Sequence, residues 1–359
     1  MLLEYVIGET KSYCLRITRT DASVVVLRSG QKRIEELVDD YRSAVESRQP
    51  DSKSAGDLFS LLLDPVIGQR QTKLIVVPDG KLNILPFDAL RNSEGKYLLE
   101  SHVVTYVPSA TVLYLLRNHR ASEGPTRNFL GVGGVAYSSP VQDGNSSSAV
   151  NTNNVADLFG VTAVRFPDLP GSTQEVVEAS AIIRGSSQLL LDRDATEAAF
   201  KALPLGDFRI IHLAVHGIAN ASFPDRAALV LGTSPNSGED GLVQVREIRG
   251  LSLHSELVVL SACDTGSGRL LGQEGIASLE RAFLLAGAKS VIATLWPADD
   301  TFTIALMKRM YQHLADGDDK GAALRQAKLD LLNEFGNQAL PIYWAGFTLV
   351  GDGSTAIFR

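Results

Sequence analysis

Residues 208–217 read FRIIHLAVHG and residues 256–266 read ELVVLSACDTG. Each is a short apolar run that stops at a reactive side chain with glycine close behind it. Continuous apolar strands of this kind belong to a parallel sheet covered on both faces. In such sheets the working residues collect at the carboxyl ends of the strands. If the two strands are neighbours, His216 and Cys263 share one rim although 47 residues separate them. A thiol with an ordinary value of about 8.5 is a weak nucleophile until a base draws off its proton, and an imidazole does that. The same imidazole can return the proton to a leaving amine. Glycine beside each side chain lets a carbonyl approach the backbone. The amides of Gly217 and Cys263 are therefore candidate oxyanion donors.

Taken singly, neither residue compels this. A cysteine ending an apolar strand is commonly a small buried hydrophobe, and a lone histidine at a strand end is more often structural than catalytic. Their joint placement points to a Cys-His pair. His212, earlier in the same strand, reads as a hydrogen-bonded core residue. His102, His119, His254 and His313 fall in loops, polar turns or helices, and Cys14 reads as core in mid-strand.

Strands and helices alternate on either side of the two tips. NFLGVGGVAY is a strand, and a Ser/Asn-rich loop spans 138–154. STQEVVEASAIIR and TEAAFKALP are helical, with strand SQLLLD between them. GIASLERAFLLAGA, strand SVIATLW and two long helices follow, and YWAGFTLVG closes the chain as a strand. Upstream, YCLRIT and SVVVLRS are β-rich. Ile34, Leu37, Val38, Tyr41 and Val45 have helical spacing. KLIVVPDGKLNILPFDAL reads as strand, turn and return segment. RASEGPTR, at 120–127, is the expected hinge, dividing an N-terminal α/β domain (1–120) from a second domain (121–359). The glycines of GVGGVAY lie inside a strand rather than between strand and helix, so they lack the form of a dinucleotide-binding turn.

Composition narrows the function classes. The chain has 359 residues, 45% hydrophobic and 21% charged, which fits a globular protein with a good core. Net charge is -7 and no basic cluster tracks a phosphate backbone, which argues against nucleic acid as a direct partner. No run approaches the ~20 apolar residues of a membrane span. The two cysteines have no metal-site or disulfide spacing, and the expected location is the reducing cytoplasm. No cofactor and no metal are expected.

HLAVHG and LSACDTGSG, together with GQEG, AFLLAGAKSVIATLWPADD and YWAGFTLVGD, resemble the CHAT domain, a branch of the caspase-like cysteine peptidases related to separase. PDGKLNILPFDAL and VTYVPSA extend the resemblance into the first half. It implies a caspase-haemoglobinase fold, a mostly parallel sheet flanked by helices, preceded by a smaller α/β pseudo-caspase-like domain. It implies His216 as general base and Cys263 as nucleophile, with no third triad member. It also implies that Asp300, with Asp299 beside it and Trp296 as a wall, receives a basic substrate side chain. The alternative is that Asp299 or Asp300 caps the helix beginning near Thr301. Glu274 caps the next helix, hydrogen-bonds substrate backbone or steadies the loop. Asp264 shapes the turn after the nucleophile, and Asp225 steadies the loop after the base.

The expected function is a cysteine endopeptidase that cleaves a protein substrate through a thioester. Its expected regulator is a tetratricopeptide-type or other sensor module, upstream or on a partner. The alternatives are a silent peptide-binding module on the same fold and a thiol hydrolase or acyltransferase acting on small molecules.

Overall fold

The computed structural model describes residues 1–49, 53–68, 72–118, 124–137, 166–218, 224–261, 273–297 and 299–358. The chain divides into two compact units, Met1–Arg120 with Gly317–Ile357, and Ala121–Asp316.

The first unit opens with β1 (Leu2–Val6), β2 (Ser12–Ile17) and β3 (Ala22–Leu27), an antiparallel meander with Tyr5 opposite Cys14 and Cys14 opposite Val25. Helix α1 (Gln31–Glu46) buries the expected stripe from Ile34 to Val45, and α2 (Lys53–Leu62) packs beside it. Strand β4 (Lys73–Val77) is parallel to β1 and to β5 (Val103–Tyr106). Between β4 and β5 the sequence suggested a turn and a return segment. The segment takes the form of short 3₁₀ turns at Gly80–Ile84 and Phe87–Ala89, which bury Leu82, Ile84 and Phe87. Helix α3 (Ala110–Asn118) follows β5.

The second unit is the doubly wound half. Its strands β6 (Arg127–Gly133), β7 (Ser187–Leu191), β8 (Phe208–Leu213), β12 (Leu257–Leu260) and β13 (Ser290–Thr294) are all parallel, in the order β13-β12-β8-β6-β7. β8 and β12 are immediate neighbours, with Leu213 opposite Leu260. Both runs are buried, as a sheet covered on both faces requires. Because β7 and β8 flank β6 on opposite sides, the winding reverses between β6 and β8. That reversal opens a crevice at their carboxyl ends.

Helix α4 (Pro170–Ile182) lies so close to β6 that a Cβ on Gly133 would fall 2.7 Å from the Ser172 carbonyl oxygen. Gly134 has φ +69, and a Cβ there would meet the Thr173 hydroxyl. The glycine run is thus a helix-packing feature. The polar excursion after His216 holds a small antiparallel sheet, β9 (Gly217–Ile218), β10 (Ala228–Val230) and β11 (Leu242–Gln244). Helices α5 (Glu197–Ala202), α6 (Val245–Ile248), α7 (Gln273–Leu285) and α8 (Asp300–Ala315) complete the unit, and α8 packs along α4.

The remaining elements are α9 (Lys320–Phe335), α10 (Pro341–Trp344) and β14 (Phe347–Gly351). The expected division assigned this segment to the second domain, but it is part of the first compact unit. β14 pairs in parallel with β5, Val350 opposite Tyr106. The buried Lys328 ammonium donates to Asp88 Oδ2 and to the Phe347 carbonyl, each at 2.6 Å. Chain order does not reveal such a return, because the partners are 240 residues apart. Among the described residues, no helix is long and apolar enough to cross a membrane.

Candidate active site

His216 leaves the end of β8 at the crevice and is fully buried. Tyr137, which leaves the end of β6, meets it there with ring centroids 4.5 Å apart, and Phe166 packs at 5.3 Å. The imidazole Nε2 lies 2.7 Å from the Pro167 carbonyl oxygen. A carbonyl only accepts, so Nε2 carries a proton, and Nδ1 is the ring nitrogen that can serve as a base.

The backbone is held as firmly as the ring. Val230 N–H donates to the His216 carbonyl at 2.8 Å. The reciprocal bond is spliced: His216 N–H donates to Tyr137 Oη at 3.0 Å, and that hydroxyl donates on to the Val230 carbonyl at 2.9 Å. Burial pushes the Tyr137 phenol well above its ordinary value, so it remains a donor. Tyr137 N–H in turn donates to Asp168 Oδ1 at 2.9 Å. Gly217 stands opposite Leu229 in the next, alternate pair of the ladder. In an antiparallel ladder that alternation turns the Gly217 N–H away from β10, as an oxyanion donor needs.

Cys263 and Asp264 lie outside the described residues, as do the Glu274 side chain and the Ser/Asn-rich segment 138–154. The register reaches Leu260, opposite Leu213. His216 and Cys263 each follow that paired position by three residues. Ser261, the last described residue before Cys263, is buried, and its Oγ is 2.9 Å from His212 Nε2.

Asp299 is the N-cap of α8, its Oδ1 accepting from Thr301 N–H at 3.0 Å and Phe302 N–H at 3.3 Å. Asp300 Oδ2 accepts from Gly171 N–H, in the first turn of α4, at 3.3 Å. Both carboxylates are exposed, and Trp296 is buried. Asp225 Oδ1 accepts from Arg249 at 3.0 Å and ties the segment after His216 to the end of α6. Among the described residues, the side chains Glu197, Glu239 and Glu247 could together hold a metal ion. The Lys201 ammonium already stands among them at 2.6–2.8 Å, supplying the positive charge that the carboxylates require.

The sequence reading missed Pro167, Tyr137 and Phe166. A backbone carbonyl leaves no residue-type signal. Tyr137 did leave one, since it ends a strand at the same rim as His216.

The CHAT domain family model matches residues 52–352. A human relative, tetratricopeptide repeat protein 28 (Homo sapiens), is 26% identical over 341 residues, covering 82% of this chain. The chain spans 13% of that relative's length. Among solved structures, the Saccharomyces cerevisiae separase–securin complex is similar at TM-score 0.44 and 14% identity, covering 80% of this chain and 16% of that one. The Arg-specific cysteine proteinase gingipain R is similar at TM-score 0.47 and 11% identity, covering 90% and 75%.

Proposed function

Because the chain belongs to the CHAT domain family, we propose that it is a cysteine endopeptidase with His216 as base and Cys263 as nucleophile. The observation that carries this is the shared register of β8 and β12, each reaching its reactive residue three positions beyond the Leu213–Leu260 pair. The Pro167 carbonyl supports it by fixing the His216 tautomer that a base requires.

In this mechanism His216 Nδ1 takes the Cys263 Sγ proton, and the thiolate attacks the scissile carbonyl carbon. The amides of Gly217 and Cys263 stabilise the oxyanion. Collapse forms the thioester and breaks the C–N bond, and the imidazolium gives its proton to the leaving amine. The same imidazole then deprotonates a water, which hydrolyses the thioester and restores the thiol. No cofactor enters. Asp300 is proposed to read a basic residue before the scissile bond. Its carboxylate already accepts a hydrogen bond from Gly171, so this role requires it to serve a second donor. A tetratricopeptide-type module is proposed as regulator, and the cytoplasm as location.

The test is intact-mass analysis after incubation with a peptidyl acyloxymethyl ketone. One adduct at Cys263 is expected, absent in Cys263→Ala and formed about 100-fold more slowly in His216→Ala. Peptide binding without an adduct would instead indicate the silent module.

A further inference from the structure

A second histidine of β8 has a set of partners that core packing alone does not require. His212 is fully buried in mid-sheet, opposite Val259 on β12 and Gly131 on β6. Its Nδ1 is 2.9 Å from the Tyr311 hydroxyl of α8. Its Nε2 is 2.9 Å from Ser261 Oγ, and Glu175 Oε1 of α4 approaches the same nitrogen to 2.9 Å without an aligned hydrogen bond. Burial, reinforced by the Glu175 carboxylate, pushes the Tyr311 phenol well above its ordinary value, so it keeps its proton. With the phenol donating to Nδ1, the ring proton sits on Nε2 and is shared with Ser261 Oγ. Phe129 and Tyr311 enclose the ring at centroid distances of 6.3 and 5.6 Å.

Apolar residues at all four positions would avoid the desolvation cost of four buried polar groups. What the network adds is a directional tether. It holds Ser261, the residue that directly follows β12 and stands two positions before Cys263 in the sequence. We propose that His212, oriented by Tyr311 and Glu175, is a positioning residue that acts through the Ser261 hydroxyl to hold the approach to Cys263. It touches neither substrate nor the reacting sulfur. The inference rests on the peptidase reading for its catalytic consequence and on the Ser261 hydrogen bond for its structural one.

Ser261→Ala and His212→Gln should each slow inactivation by the peptidyl acyloxymethyl ketone about tenfold at saturation, with half-saturating concentration unchanged. The double variant should be no slower than the slower single, since both break one tether. Ser261→Thr, which keeps the hydroxyl, should restore most of the rate. Hydrogen exchange gives a readout independent of activity: both single variants should lose amide protection in the peptide spanning 257–263, while strand β13 keeps its own. Unchanged inactivation with merely lowered thermal stability would overturn the positioning role. Unchanged exchange at 257–263 would overturn the tether, even if wild type took no ketone. Absence of an adduct in wild type would strike the peptidase reading and the catalytic role together.

Discussion

His216 and Tyr137, which leave adjacent parallel strands, share a hydrogen bond from the histidine's own backbone amide to the tyrosine hydroxyl, at 3.0 Å. His216 is thereby anchored at the peptide as well as at the ring, where Nε2 meets the Pro167 carbonyl. Ring orientation and strand position come from different neighbours, and each can be perturbed separately.

Tyr137→Phe removes the hydroxyl while keeping the ring against His216. His216 N–H and the Val230 carbonyl then lose a buried partner, which should lower stability by ~1–3 kcal/mol. Turnover should fall through kcat with KM little changed, because the base shifts and the substrate contacts remain. Urea unfolding and steady-state kinetics check both. Full stability and full turnover in the variant would show the spliced bond to be dispensable.

Cys14 is fully buried, and burial pushes its thiol up to about 12. Iodoacetamide at neutral pH should therefore modify one thiol per native chain, at Cys263, and two after denaturation. Peptide mapping assigns the adducts. Native modification of Cys14 would mean that the first unit opens readily in solution.

Glu280 on α7 is buried, one of its carboxyl oxygens has no hydrogen-bond partner, and desolvation pushes it up to about 8 from an ordinary 4.5. The folded chain therefore keeps a proton that the unfolded chain releases above 4.5. Stability from this group is complete below 4.5, falls as pH rises toward 8, and is fully lost above that. The slope is at most ~1.4 kcal/mol per pH unit. Glu280→Gln should flatten that decline, so the variant gains on wild type as pH rises from 4.5 to about 8 in paired denaturant titrations. Parallel stability profiles would refute an uncharged Glu280.

The buried Lys328–Asp88 pair joins α9 to the turn after β4. Asp88→Ala strands the ammonium and should cost about 3–5 kcal/mol. Replacing both partners with apolar residues, Asp88→Leu with Lys328→Met, should recover most of that loss. Chemical unfolding of the three variants gives the comparison. A double variant as unstable as Asp88→Ala would mean that the Lys328 bond to the Phe347 carbonyl dominates instead.

Much of the fold was legible because burial on both faces leaves a local mark. The apolar runs at 208–213 and 257–260 announced parallel strands, and Ile34 to Val45 announced a helix. Asp299, a short carboxylate just before a helical run, is a cap of the kind its position suggested. The expected strand end at His216 came three residues early, since β8 stops at Leu213. The three-stranded sheet after His216 was less visible, because strands of two or three residues are too short to show a period.

By itself, then, the sequence determined the strand–helix alternation, the strand that leads to His216 and the family motifs, all of which are written in neighbouring residues. Tertiary structure alone decided that Pro167 orients the imidazole, that Tyr137 enters the β9–β10 ladder, and that Glu175 and Tyr311 converge on His212. It also decided that 317–357 completes the first unit. These are contacts between polar atoms on segments 37 to 240 residues apart. A hydrogen bond depends on where folding brings its donor and acceptor, and chain order carries no record of that.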